Sequence, residues 1–235
     1  MATLSTPGLF ITGTDTEVGK TYVAAIIAST LTDQGHRVGV YKPVASGCHR
    51  RDGELVSDDA VALWEAAGQP GELSAVCLQC FEAPLAPNVA AREEGKQVDA
   101  ELLRAGLDYW ADRSDFVLVE GVGGLMTPVS DEDYVADLAF EFGFPLIVVA
   151  PNALGVINQS LQTLITAATF REGIDVAGVV LNDIRRLAGD DASTSSNRTE
   201  LASHCVPPVL AHLGWGAPGF DGDIDWIGLA RGTAG

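Results

Sequence analysis

The segment Gly13–Thr21 has the residue types that bind a nucleotide phosphate. It reads Gly-Thr-Asp-Thr-Glu-Val-Gly-Lys-Thr and stands between an apolar run and the start of a helical pattern. Backbone N–H groups at a helix start surround a phosphate, and the helix dipole favours its negative charge. In such a loop Gly19 leaves room for the phosphate, Lys20 reaches the β- and γ-phosphates, and Thr21 offers its hydroxyl to Mg²⁺. The common pattern has its first glycine at position 14, so Gly13 comes one residue early.

An acidic residue follows a second apolar run, and it is a candidate ligand for Mg²⁺. Glu120 comes after Phe-Val-Leu-Val, and Gly121, Val122 and Gly123 follow it. Ligands of open parallel sheets bind at the carboxyl ends of the strands, where this acid is expected. The glycines allow the backbone to approach a ligand closely. Combined with the phosphate loop, this segment predicts a Mg²⁺-nucleotide site.

Further candidates for the same site follow other predicted strands and helix starts. Lys42 and Ser46 belong to the run Tyr-Lys-Pro-Val-Ala-Ser-Gly after a strand, and Lys42 is one of only three lysines, with Lys20 and Lys96. Asp59, in a first helical turn, is a candidate second carboxylate for Mg²⁺, which prefers oxygen ligands. The alternative for Lys42 is a solvated turn residue, and for Asp59 a helix-capping role.

Two later segments carry weaker signals for ligand binding. Leu154, Gly155, Val156, Ile157 and Asn158 open a long helix, and such a start can hold an anion such as a carboxylate. The second segment, Asn182 and Asp183, ends a strand, and its side chains could hydrogen-bond the edge of a nucleotide base.

The elements that position these residues alternate between strand and helix. Apolar runs separated by long helices are typical of a parallel sheet covered on both faces, so we expect one α/β domain over residues 1–235. The predicted strands are 8–13, 37–41, 75–80, 116–119, 146–150, 176–181 and 209–213. The predicted helices are 19–34, 58–67, 84–94, 99–111, 134–142 and 155–170. The polar stretch 189–197 is predicted to be a surface loop.

The composition excludes several classes of protein. The 235 residues include 14 Lys and Arg against 32 Asp and Glu, a formal net charge of −18. General binding to nucleic acid or to an anionic membrane needs a basic surface, so neither is expected. No apolar run approaches a membrane span, and the N-terminus lacks the pattern of a signal peptide. We therefore expect a cytoplasmic protein.

The four cysteines are predicted to be ordinary thiols. Cys77 and Cys80 have the spacing of some zinc and redox sites, but a second pair with that spacing is missing. If 75–80 is a strand, residues three apart face opposite sides of the sheet. Buried or half-buried thiols are therefore favoured over a metal site.

These motifs, in this order, resemble the dethiobiotin synthetases of biotin biosynthesis. The matching stretches are 13–21, 41–47, 57–63, 117–124, 154–158 and 181–183, and the resemblance covers residues 8 to about 215. The early Gly13 is itself a family trait. The resemblance implies a P-loop NTPase-like fold with a mainly parallel sheet covered by helices on both faces.

The resemblance also implies a reaction with ATP and Mg²⁺. CO₂ adds to one amine of 7,8-diaminononanoate, ATP phosphorylates the carbamate to a carbamic-phosphoric anhydride, and the second amine closes the ring of dethiobiotin. The other two products are ADP and phosphate. In this chemistry, positioning and charge stabilisation should dominate. The family is a homodimer with its substrate site at the subunit interface.

Carried over residue by residue, the resemblance assigns a role to each candidate. Lys20 and Thr16 would stabilise the transferred phosphoryl group, and Lys42 would neutralise the carbamate. Phosphates would be bound by the backbone of Glu17, Val18, Gly19, Lys20, Thr21 and Tyr22, and Mg²⁺ by Thr21, Asp59 and Glu120. Adenine would be bound by Asn182 and by the turn Gly214, Trp215 and Gly216. Ser46 would contact the substrate, and residues 154–158 of the partner subunit would bind its carboxylate. A tyrosine found near the carboxylate in some members is missing, and Asn197 is the nearest candidate by position.

Two other function classes remain as alternatives. Another small-molecule P-loop kinase or ligase would use Lys42 and Ser46 for a different acceptor. A switch ATPase usually has a lysine early in its phosphate loop, where this chain has Thr14 and Asp15.

Overall fold

The computed structural model describes residues 6–186 and 192–232. The strands are β1 (Gly8–Gly13), β2 (Val38–Tyr41), β3 (His49–Arg51), β4 (Glu54–Val56), β5 (Phe116–Gly124), β6 (Leu146–Pro151), β7 (Val176–Asn182) and β8 (Val209–Leu213). The helices are α1 (Lys20–Asp33), α2 (Asp58–Ala66), α3 (Leu73–Val76), α4 (Pro87–Glu93), α5 (Ala100–Ala111), α6 (Val135–Phe142), α7 (Val156–Thr169), α8 (Ala192–His204) and α9 (Trp226–Ala230).

Six of the strands form one sheet in the order β2-β5-β1-β6-β7-β8, and each neighbouring pair is parallel. Every residue of β1 and of β2 is buried. Successive strand residues point to opposite faces, so continuous burial means that both faces are covered. The predicted α/β fold with a parallel sheet is confirmed. A short antiparallel hairpin, β3–β4, is an addition that the sequence did not indicate.

The predicted strand at 75–80 is wrong. Residues 73–76 form the short helix α3, and the chain after it runs beside the segment that follows β2. Ala45 N–H donates to the Gln79 carbonyl, and Phe81 N–H donates to the Ala45 carbonyl, both at 2.9 Å. The segment therefore packs beyond the end of β2 instead of adding a strand to the sheet.

The predicted surface loop at 189–197 is also wrong over most of its length. Helix α8 begins at Ala192, whereas residues 189–191 lie outside the described part of the chain. Asn197 and Leu201 are buried four residues apart, on one face of this helix. A polar side chain supplies part of the buried face, so the hydrophobic pattern did not reveal the helix.

The cysteines are free thiols, as predicted. Cys48 and Cys77 are buried, and Cys80 and Cys205 are half-buried. The Cys77 and Cys80 sulfur atoms are 3.6 Å apart, so these residues do not face opposite sides as a strand would require. Within 6–186 and 192–232, no group of three or more His, Cys, Asp or Glu side chains is arranged to hold a metal ion.

None of the helices in the described ranges is long and apolar enough to span a membrane. The helices pack on the sheet and its connections instead. The parallel arrangement places the carboxyl ends of β1, β2, β5, β6, β7 and β8 at one edge of the sheet, and the predicted site residues follow these ends.

Candidate active site

A cleft of about 1180 Å³ opens at the carboxyl ends of β1, β2 and β5. The loop between β1 and α1 forms part of its wall, and helix α1 begins at Lys20, directly after the loop. Gly19 has a φ of 88°, a left-handed conformation that favours glycine. A Cβ atom at Gly19 would lie 2.1 Å from Nδ2 of Asn182, which donates to the Val18 carbonyl at 3.0 Å. The loop is thus fixed against the end of β7.

Lys20 is the first residue of α1 and is buried. Its ammonium group donates to the Asp15 carbonyl at 3.0 Å, so the side chain folds back across the loop. Burial lowers the pKa of Lys20, and the nearby charge of Glu120 opposes that effect only in part. A buried cation at a helix start provides a strong local attraction for phosphate.

Lys42 is the centre of a charged cluster. Its ammonium group lies 2.6 Å from Oε1 of Glu120 and 2.9 Å from Oδ2 of Asp59. The same Glu120 oxygen accepts a hydrogen bond from the Thr21 hydroxyl at 2.9 Å. The Lys42 side chain is 2% exposed and that of Glu120 is 1% exposed. Buried charges are costly unless paired, so each partner requires the other.

The cluster keeps Lys42 positively charged. Burial lowers the pKa of Lys42, but the charges and hydrogen bonds of Glu120 and Asp59 outweigh it and leave the pKa above its usual range. For Asp59, burial raises the pKa, and the ammonium group of Lys42 reverses that effect, so the pKa lies below its ordinary value. Lys42 is therefore suited to stabilise negative charge and is unsuited to act as a general base at neutral pH.

The structure brings most of the predicted residues together. Those that line the cleft are Thr16, Glu17, Gly19, Lys20, Thr21, Tyr22, Lys42, Ser46, Asp59, Glu120, Val122 and Gly123. The predicted residues that do not line it are Val18, Gly121, Leu154–Asn158, Asn182, Asp183 and Gly214–Gly216. The 214–216 turn still lies near the first turn of α1, because the Tyr22 hydroxyl of that helix donates to the carbonyl of Ala217, the residue after the turn.

Three parts of the cleft wall were not predicted from the sequence. They are the segment 84–87 before and at the start of α4, the segment 125–128 after β5, and the side of α7 that carries Gln159, Gln162, Thr163 and Thr166. The i, i+3, i+4, i+7 spacing on α7 is a signal that places four polar side chains on one helix face. Both loop segments carry apolar side chains, which form an apolar rim.

Comparison with known proteins identifies the family. The AAA domain family matches residues 7–218. A protein from Rhodopirellula baltica called ATP-dependent dethiobiotin synthetase BioD is 45% identical over 87% of this chain and 82% of its own length. A protein of the same name from Thermodesulfovibrio yellowstonii is 38% identical over 88% of each chain.

Solved structures with a similar fold share much less sequence. A ParA family ATPase from Chlorobium tepidum has a TM-score of 0.53 and 15% identity, covering 89% of this chain and 84% of its own. The septum site-determining protein MinD from Pyrococcus horikoshii, complexed with Mg-ADP, has a TM-score of 0.51 and 15% identity over 89% and 81%. These likenesses support the P-loop NTPase fold, and the sequence relatives place this chain in the family of ATP-dependent dethiobiotin synthetases.

Proposed function

We propose that residues 1–235 act as a single-domain enzyme that closes the ring of dethiobiotin from 7,8-diaminononanoate and CO₂, with ATP and Mg²⁺. The observation that carries this proposal is the buried Lys42, held between Glu120 and Asp59 beside a phosphate loop. The printed names of the relatives, ATP-dependent dethiobiotin synthetase, support the same reaction.

In this proposal, the phosphate loop positions the group that is transferred. The backbone of residues 17–22 and the start of α1 bind the phosphates, and Lys20 with Thr16 neutralises charge on the γ-phosphoryl group. The Lys20 ammonium would leave the Asp15 carbonyl, which it contacts at 3.0 Å, to do so. Phosphoryl transfer needs positioning and charge stabilisation more than covalent chemistry by the protein.

The cluster at Glu120 fits a Mg²⁺ ion. Oε2 of Glu120 is buried and has no hydrogen-bond partner within the described ranges. Together with the Thr21 hydroxyl and the Asp59 carboxylate, it forms a set of oxygen donors of the kind that Mg²⁺ prefers. The ion would neutralise charge on the nucleotide phosphates.

Lys42 is the residue we assign to the carbamate. An amine of the substrate attacks CO₂ and loses a proton to give the carbamate, whose oxygen attacks the γ-phosphorus as ADP departs. The second amine then attacks the carbonyl carbon and loses a proton to solvent, and phosphate leaves. Lys42 is a fixed cation that offsets the negative charge of the carbamate, and Ser46 in the same cleft contacts the diamine.

The apolar rim suits the hydrocarbon chain of this substrate. Leu85 and Met126 line the cleft and are 45% and 49% exposed. Binding is favoured when a ligand covers apolar side chains that are exposed in a cleft, because apolar surface is removed from water. The hydrocarbon chain of an aliphatic diamine would cover such side chains.

The adenine base is assigned to the ends of β7 and β8. Oδ1 of Asn182 is buried, and no hydrogen-bond donor contacts it in the described chain. This oxygen can accept from the exocyclic amine of adenine. The 214–216 turn provides the other side of the base site, where the Trp215 side chain is 58% exposed.

The proposed assembly is a homodimer in which the partner subunit completes the carboxylate site. Residues 154–158 do not line the cleft of their own chain, and Leu154 is 88% exposed. The start of α7 is therefore free to receive a carboxylate from another subunit. Light scattering tests this assembly: a mass near twice 24.6 kDa is expected, and a persistent monomer with full activity would contradict it.

We also propose that the protein works in the cytoplasm. Its four cysteines are free thiols, which suits a reducing compartment. Fractionation of cells that express the protein would detect it with the cytoplasmic enzymes, and recovery from the medium would contradict the proposal.

The joint requirement for the diamine and bicarbonate tests the function. We expect the purified protein to release ADP only when 7,8-diaminononanoate, bicarbonate and Mg-ATP are all present. ADP release with another acceptor and without bicarbonate would favour a different small-molecule kinase. Equal hydrolysis without the diamine would favour a switch ATPase.

A further inference from the structure

Four polar side chains that do not line the cleft meet at the carboxyl ends of β6, β7 and β8. They are Asn152, Asp183, Asn197 and His212, and we call them the strand-end network. Asn152, Asp183 and Asn197 are at most 8% exposed. Burial of polar groups is costly unless their hydrogen bonds are made, so the pattern of these bonds decides what the network does.

The side chains of Asn152 and Asp183 make the central contacts of the network. Asp183 Oδ1 accepts from Asn152 Nδ2 at 2.8 Å, and His212 Nε2 lies 2.8 Å from the same oxygen and 3.2 Å from Asn152 Nδ2. Asn152 Oδ1 in turn accepts from Asn197 Nδ2 at 2.9 Å. Both ends of the Asn152 amide are thereby engaged.

Backbone hydrogen bonds continue the network into the proposed base site. The Asn152 N–H group donates to the Asn182 carbonyl at 2.8 Å, while its side chain holds the next residue, Asp183. The Asp183 N–H group donates to the Leu213 carbonyl at 2.9 Å, while its carboxylate holds His212. Each strand end is therefore joined to its neighbour through two consecutive residues.

This geometry fixes the spacing between Asn182 and the 214–216 turn, which follows Leu213 directly. Asn197 joins α8 to the same strand ends, since its Nδ2 also lies 3.3 Å from the Ala153 carbonyl. Apolar residues would fill such buried positions at a lower desolvation cost, whereas directional bonds hold three strand ends in one register.

We propose that Asn152, Asp183, His212 and Asn197 are positioning residues that hold Asn182 and the 214–216 turn at the separation an adenine base requires. Asp183 thus serves the base indirectly, through its neighbours. The docking of α8 through Asn197 then becomes a condition for tight ATP binding. This inference rests on the proposed placement of adenine at the ends of β7 and β8.

The test compares a nucleotide with a ligand that lacks the base. Asn197→Asp places an acceptor against the Asn152 and Ala153 oxygens with little change in volume. By calorimetry on the full chain, we expect Mg-ATP to bind about tenfold more weakly, which is about 1.4 kcal/mol, and Mg-tripolyphosphate to bind unchanged. Thr199→Ala, at an exposed position on the same helix, is the matched control and should bind both ligands like the parent.

The remaining outcomes separate this inference from the base placement. If Asn197→Asp does not fold, Asn197→Ala removes the same hydrogen bonds without adding a charge and must give the same selective loss. An equal loss for both ligands, or no loss for ATP, overturns the network even when Asn182→Ala weakens ATP binding. If Asn182→Ala leaves ATP affinity unchanged, the base placement is wrong and the inference falls with it.

Discussion

Lys42→Gln is expected to lower kcat by about 1,000-fold while Mg-ATP affinity stays within a few-fold. The ammonium group is a buried fixed cation, 2.6 Å from Glu120, and the shorter, uncharged glutamine cannot replace its charge. A loss of charge stabilisation in the transition state appears in kcat, and this factor corresponds to about 4 kcal/mol. Steady-state kinetics and direct ATP binding measure the two quantities separately.

The matched control for this substitution is Lys96→Gln. Lys96 is an exposed lysine whose side chain pairs with Glu94 at 2.8 Å, away from the cleft lining. This variant should keep the parent kcat. Because Lys42→Gln leaves Glu120 and Asp59 without their cation, we also expect a lower Tm. A folded Lys42→Gln variant with parent kcat would show that Lys42 has no part in the reaction.

Glu120→Gln is expected to raise the Mg²⁺ concentration for half-maximal activity at least about tenfold and to lower kcat/KM by about 100-fold. Glu120 connects the Thr21 hydroxyl to Lys42, and its second oxygen is buried without a partner among the residues described. Glutamine preserves the shape and one acceptor but removes the charge that favours a divalent cation. Titration of activity with Mg²⁺ at saturating substrates measures the first quantity, and initial rates over a range of substrate concentrations measure kcat/KM.

Glu132→Gln removes a carboxylate that is exposed and outside the cleft lining, so it is the control for Glu120→Gln. Its Mg²⁺ titration should overlay that of the parent. The assignment of Glu120 to the ion would be wrong if Glu120→Gln kept the parent Mg²⁺ requirement. A uniform loss of activity at every Mg²⁺ concentration would point to its contact with Lys42 instead.

The residues nearest the chemistry could be predicted because short motifs follow strand ends. The segment 13–21 contains its own phosphate-binding geometry, and a parallel sheet brings the ends of β1, β2 and β5 to one edge. Lys42, Asp59 and Glu120 are far apart in sequence but come into direct contact. The topology explains why local patterns were sufficient for these residues.

Features that depend on tertiary packing could not be predicted in the same way. The run 75–80 has strand-like composition, yet it pairs with the segment after β2, beyond the end of that edge strand. Helix α8 depends on a buried Asn197, whose hydrogen bonds to Asn152 and Ala153 are invisible in a hydrophobic pattern. The strand-end network joins four elements, so its members have no common spacing in sequence.

The reaction with carbon-13 bicarbonate distinguishes ring closure from simple hydrolysis of ATP. With 7,8-diaminononanoate and Mg-ATP, we expect dethiobiotin that carries one labelled carbon in its ring and one ADP released for each ring closed. Mass spectrometry of the product and quantification of ADP in the same reaction give both values. Release of ADP without the labelled ring would contradict the proposed ring closure.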